Sequence, residues 1–568
     1  MEAIKNRSIM LLVRFIVINV LMFISNITYS QDIITLDSII SLYEKPNLPR
    51  SKSPWPDCSD GYYAAKLAHF KMLQQKLNLI DGQQKNLQDS ISYNLLKFVV
   101  DDEVYTLTWQ DYLIPLNAEG GFLTDIVYSL NGYMLRDTKD ISNYTNRLKT
   151  LPNYLLGVKD LLTKGIIERK VSPKLIVDNC LQILALQIPD DMEKSLYFKP
   201  VVDLKSKDRE EFSKLIKTVV YPAMKNFQQF LKNDYRTAAN ESLGISDVRD
   251  GVNYYDQRIR YYTTLNMTPE EVFQTGLKEV DRIKYEMDSI IKEIKFQGSF
   301  ADFIQFLRTD KKFYADSPQL LLQRAAWISK VIEGKLPKYF GRLPRNQFTV
   351  KPVPSELAPT YTTGRYSPGS YDRKKAGEYW INTYNLPTRP LYVLPALTLH
   401  EAVPGHHLQG SLTQEMIGFP RFRNSTYLSA YGEGWALYTE YLGKEMGVYE
   451  TAYEDFGRLT YEMWRACRLV VDVGLHSKKW SRDKAIDFLA SNTALSMHEV
   501  NTEIDRYIGW PGQAVSYKIG EIKIRVLRKQ AEERMKDRFN LSDFHDKVLE
   551  NGTVTLTMLE TIINDTFK

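Results

Sequence analysis

Apolar residues recur three and four positions apart through most of the chain, and this period predicts a mainly α-helical protein. It is clearest in Ala64–Asp81, Asp208–Phe230, Pro269–Ile294 and Pro318–Gly334. Two of these runs carry start signals. Thr268 precedes Pro269 and Ser317 precedes Pro318, so a side chain able to cap the first amides is followed by a residue with no amide to satisfy. Between 346 and 390 the period changes to two. Phe348–Val353 and Glu378–Thr383 alternate and are interrupted by prolines, which predicts one small sheet. From 391 the helical period resumes almost to the end. The expected architecture is a large two-lobed helical body with a central cleft, folded as a single domain over 58–568, with the small sheet next to the chemistry. An irregular lead-in is expected over 31–57, where Pro46, Pro49, Pro54 and Pro56 fall.

The first thirty residues have a different pattern. Lys5, Arg7 and Arg14 precede the apolar run Phe15–Ile24, broken by Asn19, and Thr28-Tyr29-Ser30 follows with small side chains at 28 and 30. This is the layout of a secretory signal peptide cleaved near Ser30. The run is shorter than the ~20 residues of a spanning helix, and no cysteine lies at the cleavage point, so neither a membrane anchor nor a lipid-modified terminus is expected. The mature protein is expected in the periplasm or outside the cell, without stable membrane insertion.

Composition narrows the function classes. The 43% hydrophobic and 25% charged fractions are those of a soluble globular protein. A formal charge of +5, with Lys and Arg interspersed among Asp and Glu, leaves no basic block for nucleic acid. Cys58, Cys180 and Cys467 are an odd set, so at least one thiol is free and a disulfide framework is not what holds the fold. Cys58 and Cys180 could pair, and Cys467 sits in an apolar helical run.

Five of the seven histidines lie between 400 and 498, and three of them fall in Leu399-His400-Glu401-Ala402-Val403-Pro404-Gly405-His406-His407. A histidine followed by a glutamate opens the zinc-peptidase signature, in which a second histidine four residues on shares the metal and the glutamate is the base. Here the fourth position on is Pro404. In a regular helix a residue six later is rotated by about 120°, and one seven later lies about 10 Å along the axis, so neither shares a metal with His400. Wide π-type turns at Pro404-Gly405 would restore the geometry. His406 is the favoured second ligand and His407 the alternative. The third is Glu433, flanked by Gly432 and Gly434, with Glu440 two turns on and able to orient a ligand histidine. One zinc ion per chain is expected. Asp472 and His476 lie four apart on one helix face, as a hydrogen-bonded pair or a further metal contact. Arg506 and Tyr507 could bind a substrate carboxylate or brace helices, and His498 is a further possible proton donor.

The segments His400–Gln409, Tyr431–Glu440, Arg465–Ser477 and Glu503–Gly520 resemble the bacterial family known as domain of unknown function 885. The likeness spans most of the mature chain and is sharpest from about 360 to 525. The chain is more distantly similar to helical zinc peptidases such as angiotensin-converting enzyme and the Taq-type carboxypeptidases. Those carry a His-Glu motif on one helix and a ligand glutamate some thirty residues later. Here 33 residues separate His400 from Glu433. That resemblance implies an all-helical fold with a deep cleft, and a tyrosine from a later helix, here Tyr517, holding the oxyanion.

Together these readings predict a secreted zinc-dependent peptidase acting on short peptides, with Glu401 as general base and Tyr517 as oxyanion donor. An extended substrate is expected to pair with the strand around Tyr379–Thr383. Two other classes share the residues: a zinc hydrolase of non-peptide amides or esters, and a non-catalytic peptide-binding protein with a degenerate metal site.

Overall fold

The computed structural model describes residues 34–568, apart from 50, 52, 119, 131–132, 355–357, 359–360 and 371–373. The expected export signal and its cleavage point near Ser30 lie outside the described residues. The fold is mainly α, with a single three-stranded sheet among the described residues.

The stretch expected to be irregular holds a helix, α1 (Leu36–Glu44). Thr35 starts it: its hydroxyl accepts the Ser38 amide while Ser38 reaches back to the Thr35 amide, a reciprocal cap with serine in place of the usual glutamate. With α2 (Asp60–Leu79) and α3 (Leu87–Trp109) it builds a small core of Ile39, Leu73, Leu77 and Leu96, which also takes Phe422 and Leu428. This core therefore anchors the segment that enters the cleft. Arg423 adds to the hold, donating to Gln88 Oε1 and to the Asn551 carbonyl, both at 2.8 Å.

The run expected as one helix over 208–230 is helical, with a wide π turn at Ile216–Val220 between two α segments, just before Pro222. Proline has no amide to give, and a wide turn is one way for a helix to pass it. Next comes α4 (Pro269–Glu293), where Thr268 and Glu271 form a capping box, and α5 (Pro318–Tyr339), capped by Ser317.

The sheet follows as β1 (Phe348–Pro352), β2 (Gly364–Ser367) and β3 (Gly377–Ile381). Its order is β1-β3-β2, with β1 parallel to β3 and β2 antiparallel to it. The expectation that the strand near Tyr379 pairs with a substrate fails on this topology. Val350 and Tyr366 both pair with Tyr379, so β3 has partners on both sides. The free edge beside the cleft belongs to β2, which the alternation pattern had not marked.

The C-terminal half supplies α6 (Leu394–Glu401), α7 (His406–Gln414), α8 (Ser429–Glu445), α9 (Ala452–His476), α10 (Met497–Gly509), α11 (Ser516–Met535) and α12 (Leu541–Leu549). Every residue of α9 from Phe456 to His476 is buried. Its Phe456, Cys467 and Val471 belong to one large core, and its Leu469 and Val473 to a second. A helix buried on all sides is a core helix, and α9 is the wall the two cores share. All three cysteines are free, and Cys180 and Cys467 are buried.

Helices α8 and α11 cross at glycine. A Cβ at Gly434 would lie 2.5 Å from Gly520 Cα, and one at Gly520 would lie 1.9 Å from the Ala430 carbonyl oxygen. This backbone-to-backbone contact fixes Glu433 on one helix relative to Tyr517 on the other. Gly434→Ala should lower the free energy of unfolding in urea by about 1–3 kcal/mol through overpacking. Gly334→Ala, in the interior of α5 with nothing within 4 Å of the added Cβ, should raise it by roughly 0.5–1 kcal/mol.

Candidate metal centre

The chain breaks between α6 and α7. Helix α6 ends at Glu401 and α7 begins at His406, with Ala402-Val403-Pro404-Gly405 between them and a cis Val403–Pro404 bond. The continuous helix expected here is instead two helices, and one wide turn spans the break, the His407 amide donating to the Ala402 carbonyl at 3.0 Å. Pro404 offers no amide to continue the ladder. Gly405 is packed so closely on α6 that a Cβ would lie 1.9 Å from the His400 carbonyl oxygen and 2.4 Å from that of Leu399. The carbonyls freed by the break find partners on α8. Thr439 Oγ1 donates to the Leu399 carbonyl and Trp435 Nε1 to the Pro404 carbonyl, both at 2.9 Å.

The break sets His406 beside His400, ring centroids 4.9 Å apart and planes at 87°. Glu433 on α8 meets both. Its Oε2 lies 3.5 Å from His400 Nε2 and 3.3 Å from His406 Nε2, and all three atoms fall within 4.8 Å of one another. Ligand bonds of about 2.0–2.1 Å in a tetrahedron hold ligand atoms roughly 3.3–3.4 Å apart, so the donor set and its spacing fit one divalent cation. Glu433 Oε1 accepts the Tyr427 hydroxyl at 2.9 Å. Gly432 makes room for that tyrosine, because a Cβ there would sit 2.4 Å from its ring. Glu440, two turns along α8, accepts His400 Nδ1–H at 2.7 Å. That bond turns Nε2 toward Glu433 and leaves it the nitrogen that faces the cluster.

The charges are consistent with this arrangement. Burial alone would push the His400 imidazole down, but the carboxylates of Glu433 and Glu440 outweigh it and take it up to about 9. Burial would raise the Glu433 carboxyl, yet His406 and His400 hold it well below the usual carboxylate range.

His407 points the other way. Its Nδ1 accepts the Tyr366 hydroxyl at 3.0 Å, its ring packs on Phe348, and burial pushes it down to about 4. Of the two alternatives for the second ligand, His406 is the one brought to Glu433. Glu401 stays outside the three-atom cluster, its Oε2 held at 2.8 Å by the Tyr366 amide of β2. Tyr517 faces the same space, its ring parallel to His400 within 16° at 6.5 Å.

These side chains open on a cavity of about 820 Å³, bordered by β2 from Gly364 to Tyr366 and by Arg465, Arg468 and Arg506. Arg506 is on the wall, but Tyr507 lies behind it, its hydroxyl accepting from Trp464 Nε1 and Arg468 Nε at 2.9 Å each. Asp472 and His476 do not pair. Asp472 accepts the Tyr255 hydroxyl and the Gly512 amide, and His476 bridges the Ile245 amide and the Tyr507 carbonyl. His498 is exposed and away from the cavity wall. Sequence reasoning missed Tyr427, Tyr366, Arg465 and Arg468. None of the four carries a local signal, since each takes its place through residues distant in sequence.

Residues 44–563 match the family described as bacterial protein of unknown function (DUF885). The chain belongs to this family. Among solved structures, this DUF885 member is similar to a candidate lipoprotein from Colwellia psychrerythraea, with 28% identity and a TM-score of 0.82 over 89% of this chain and 91% of that one. It shares its fold with a candidate lipoprotein of unknown function from Shewanella oneidensis, 18% identical, with a TM-score of 0.71 over 94% of this chain and 97% of that one. No curated protein matches the chain.

The last histidine, His545, is structural. It donates from Nδ1 to the Tyr339 carbonyl at 2.9 Å and accepts the Tyr438 hydroxyl at Nε2 at 2.8 Å, and burial pushes it down to about 3. The unfolded chain takes up a proton here near pH 6.5 that the folded protein refuses. The stability His545 contributes is therefore complete above pH 6.5 and falls as the pH drops from there toward 3, by about 1.4 kcal/mol per pH unit. In urea titrations the advantage of the wild type over His545→Gln should shrink progressively between pH 6.5 and 4.

Proposed function

We propose that this DUF885 protein is an exported zinc-dependent peptidase acting on short peptides. One observation carries the reading: two imidazole nitrogens and a carboxylate oxygen converge from three helices, beside a second carboxylate, in a cleft large enough for a few residues of peptide. His400, His406 and Glu433 are the residues that would hold the metal. Two histidines and a glutamate are a donor set suited to zinc. The distant resemblance to helical zinc peptidases supports the same choice.

When bound, zinc supplies Lewis acidity, which makes a water more acidic and polarises a carbonyl. The chain's own groups do the rest. Glu401, aimed by the Tyr366 amide, takes the proton of the attacking water and returns it to the leaving amine. Tyr517 donates its hydroxyl to the carbonyl oxygen as negative charge develops there, a contribution of about 2–4 kcal/mol for such donors. Strand β2 is a sheet edge on the cavity, and an extended peptide pairing along it is held with its carbonyls in register. Export is supported by the similarity to the candidate lipoprotein from Colwellia psychrerythraea.

Purified protein should carry about one zinc per chain by mass spectrometry of its metals and should cleave members of a mixed peptide library. Glu401→Gln should keep the metal and lose at least about 100-fold in rate, whereas full cleavage by that variant would remove Glu401 from the mechanism. His406→Ala should lose the metal and His407→Gln should keep it. Cleavage of esters or non-peptide amides alone would move the substrate class. Absence of stoichiometric zinc would favour a binding protein instead.

Loss of the Glu440 carboxylate should loosen the metal without removing a ligand. Glu440→Gln is expected to weaken zinc binding about 10–100-fold, read by competition with a chelating dye, while the helical circular dichroism stays that of the wild type.

A further inference from the structure

The wall of the cavity farthest from Glu433 in chemical character is cationic. Arg465 and Arg468 from α9 and Arg506 from α10 line it, each less than a tenth exposed. Guanidinium groups stay charged in any surroundings, and a buried charge is costly unless it is paired. The carboxylates against these three are too few. Glu503 is shared, accepting from Arg468 Nη2 at 3.0 Å and from Arg506 Nε and Nη2 at 3.3 and 3.0 Å. Glu440 is 3.7 Å from Arg465 Nη2 and is already bonded to His400. Gln513 gives Arg506 a neutral acceptor at 2.6 Å, and the Tyr461 carbonyl gives Arg465 one at 3.3 Å. Two buried donors, Arg465 Nε and Arg468 Nη1, have no acceptor among the described residues. The wall thus lines the cleft with more positive charge than its own carboxylates match, and with two buried donors that no acceptor among the described residues takes up.

We propose that this arginine wall binds a carboxylate of the substrate. Paired donors in a planar fork match a carboxylate better than any neutral group. The wall is also placed for it. Arg468 Cζ sits 4.2 Å from the Tyr517 ring, which lies 6.5 Å from the His400 ring. In series these contacts put Arg468 within about 11 Å of His400, a span of roughly three extended residues. A peptide reacting beside His400 therefore reaches the wall with a carboxylate at most a few residues from the bond being cut. The source is either the peptide's own C-terminus or an acidic side chain near it. The inference deepens the peptidase reading and rests on it for the identity of the ligand.

The test is calorimetric titration of the full-length Glu401→Gln protein with trialanine free acid, trialanine amide and an amidated tripeptide ending in aspartate. The free acid should bind roughly tenfold more tightly than trialanine amide, as expected for a charge-assisted contact. Binding of the aspartate amide as tight as the free acid assigns the wall to carboxylates of either source, and binding as weak as the plain amide assigns it to the C-terminus. Arg468→Gln should erase the preference. Arg506→Lys, which keeps the charge but loses the fork, should reduce it, and serves if the first variant fails to fold. No difference among the three ligands overturns the inference, even if the wild-type protein cleaves peptides. A preserved preference in a protein that cleaves none leaves the carboxylate wall standing and removes the peptidase reading.

Discussion

Gly405 rests on the carbonyl oxygens of Leu399 and His400 at a distance no side chain would allow, and the rest of the site depends on that contact. It lets the chain leave one helix after Glu401 and start a new one with His406 alongside His400. A longer loop would leave the second imidazole free to wander, and a continuous helix would turn it to another face. The partner helix is built to receive the break, with Thr439 and Trp435 taking up the exposed carbonyls. The same helix carries Glu433 and Glu440, so the residues that stabilise the break and those that face the two histidines move as one rigid piece. The Gly434–Gly520 crossing then ties that piece to the helix bearing Tyr517.

Much of this was legible in the sequence because it depends on local chemistry. Thr268-Pro269 and Ser317-Pro318 marked helix starts within a residue, since capping needs only neighbours. The glycines flanking Glu433 signalled close approach, and the approach is real on both sides, Tyr427 against Gly432 and Gly520 against Gly434. The departure of the histidine spacing from a helical repeat was visible, but its resolution was not. A bulge and a break satisfy the same local signals, and only α8, some thirty residues on, decides between them. Strand β2 was missed because Gly-Arg-Tyr-Ser has no alternation to read. It is a strand because β3 offers it an edge. Helix α1 was hidden by the prolines that follow it. Tyr427, Arg465 and Arg468 acquire their roles from residues distant in sequence, and no local pattern announces that.

The cleft is divided by charge. On one side Glu433, Glu440 and Glu401 surround two histidines, and on the other Arg468 and Arg506 share Glu503 while Arg465 stands beside them. Tyr517 stands between them, its ring facing His400 on one side and the Arg468 guanidinium on the other. Glu440 bridges the two halves, bonded to His400 and close to Arg465. A low local dielectric strengthens such contacts and also raises the penalty of leaving any of them incomplete. On the proposed reading a cation would complete the histidine side and an anion the arginine side, which together are what a carboxylate-bearing ligand around a metal would need.

The ionic residues behind Tyr517 follow the same logic. Lys518 is fully buried, with its ammonium within 2.9 Å of Glu279, Glu462 and Glu521, and Glu462 is in turn held by Arg458 at 3.0 Å and by Arg282. Such a network is a poor way to gain stability, since apolar residues of the same volume do as well or better. Breaking it is another matter, because a single lost partner strands a buried charge at a cost of about 3–5 kcal/mol. That asymmetry makes the arrangement stiff. It joins α4, α9 and α11 at the residue next to Tyr517, where an apolar contact would permit sliding. A hydroxyl meant to meet one developing charge must be held to within a fraction of an ångström, and a network with few alternative pairings holds it there.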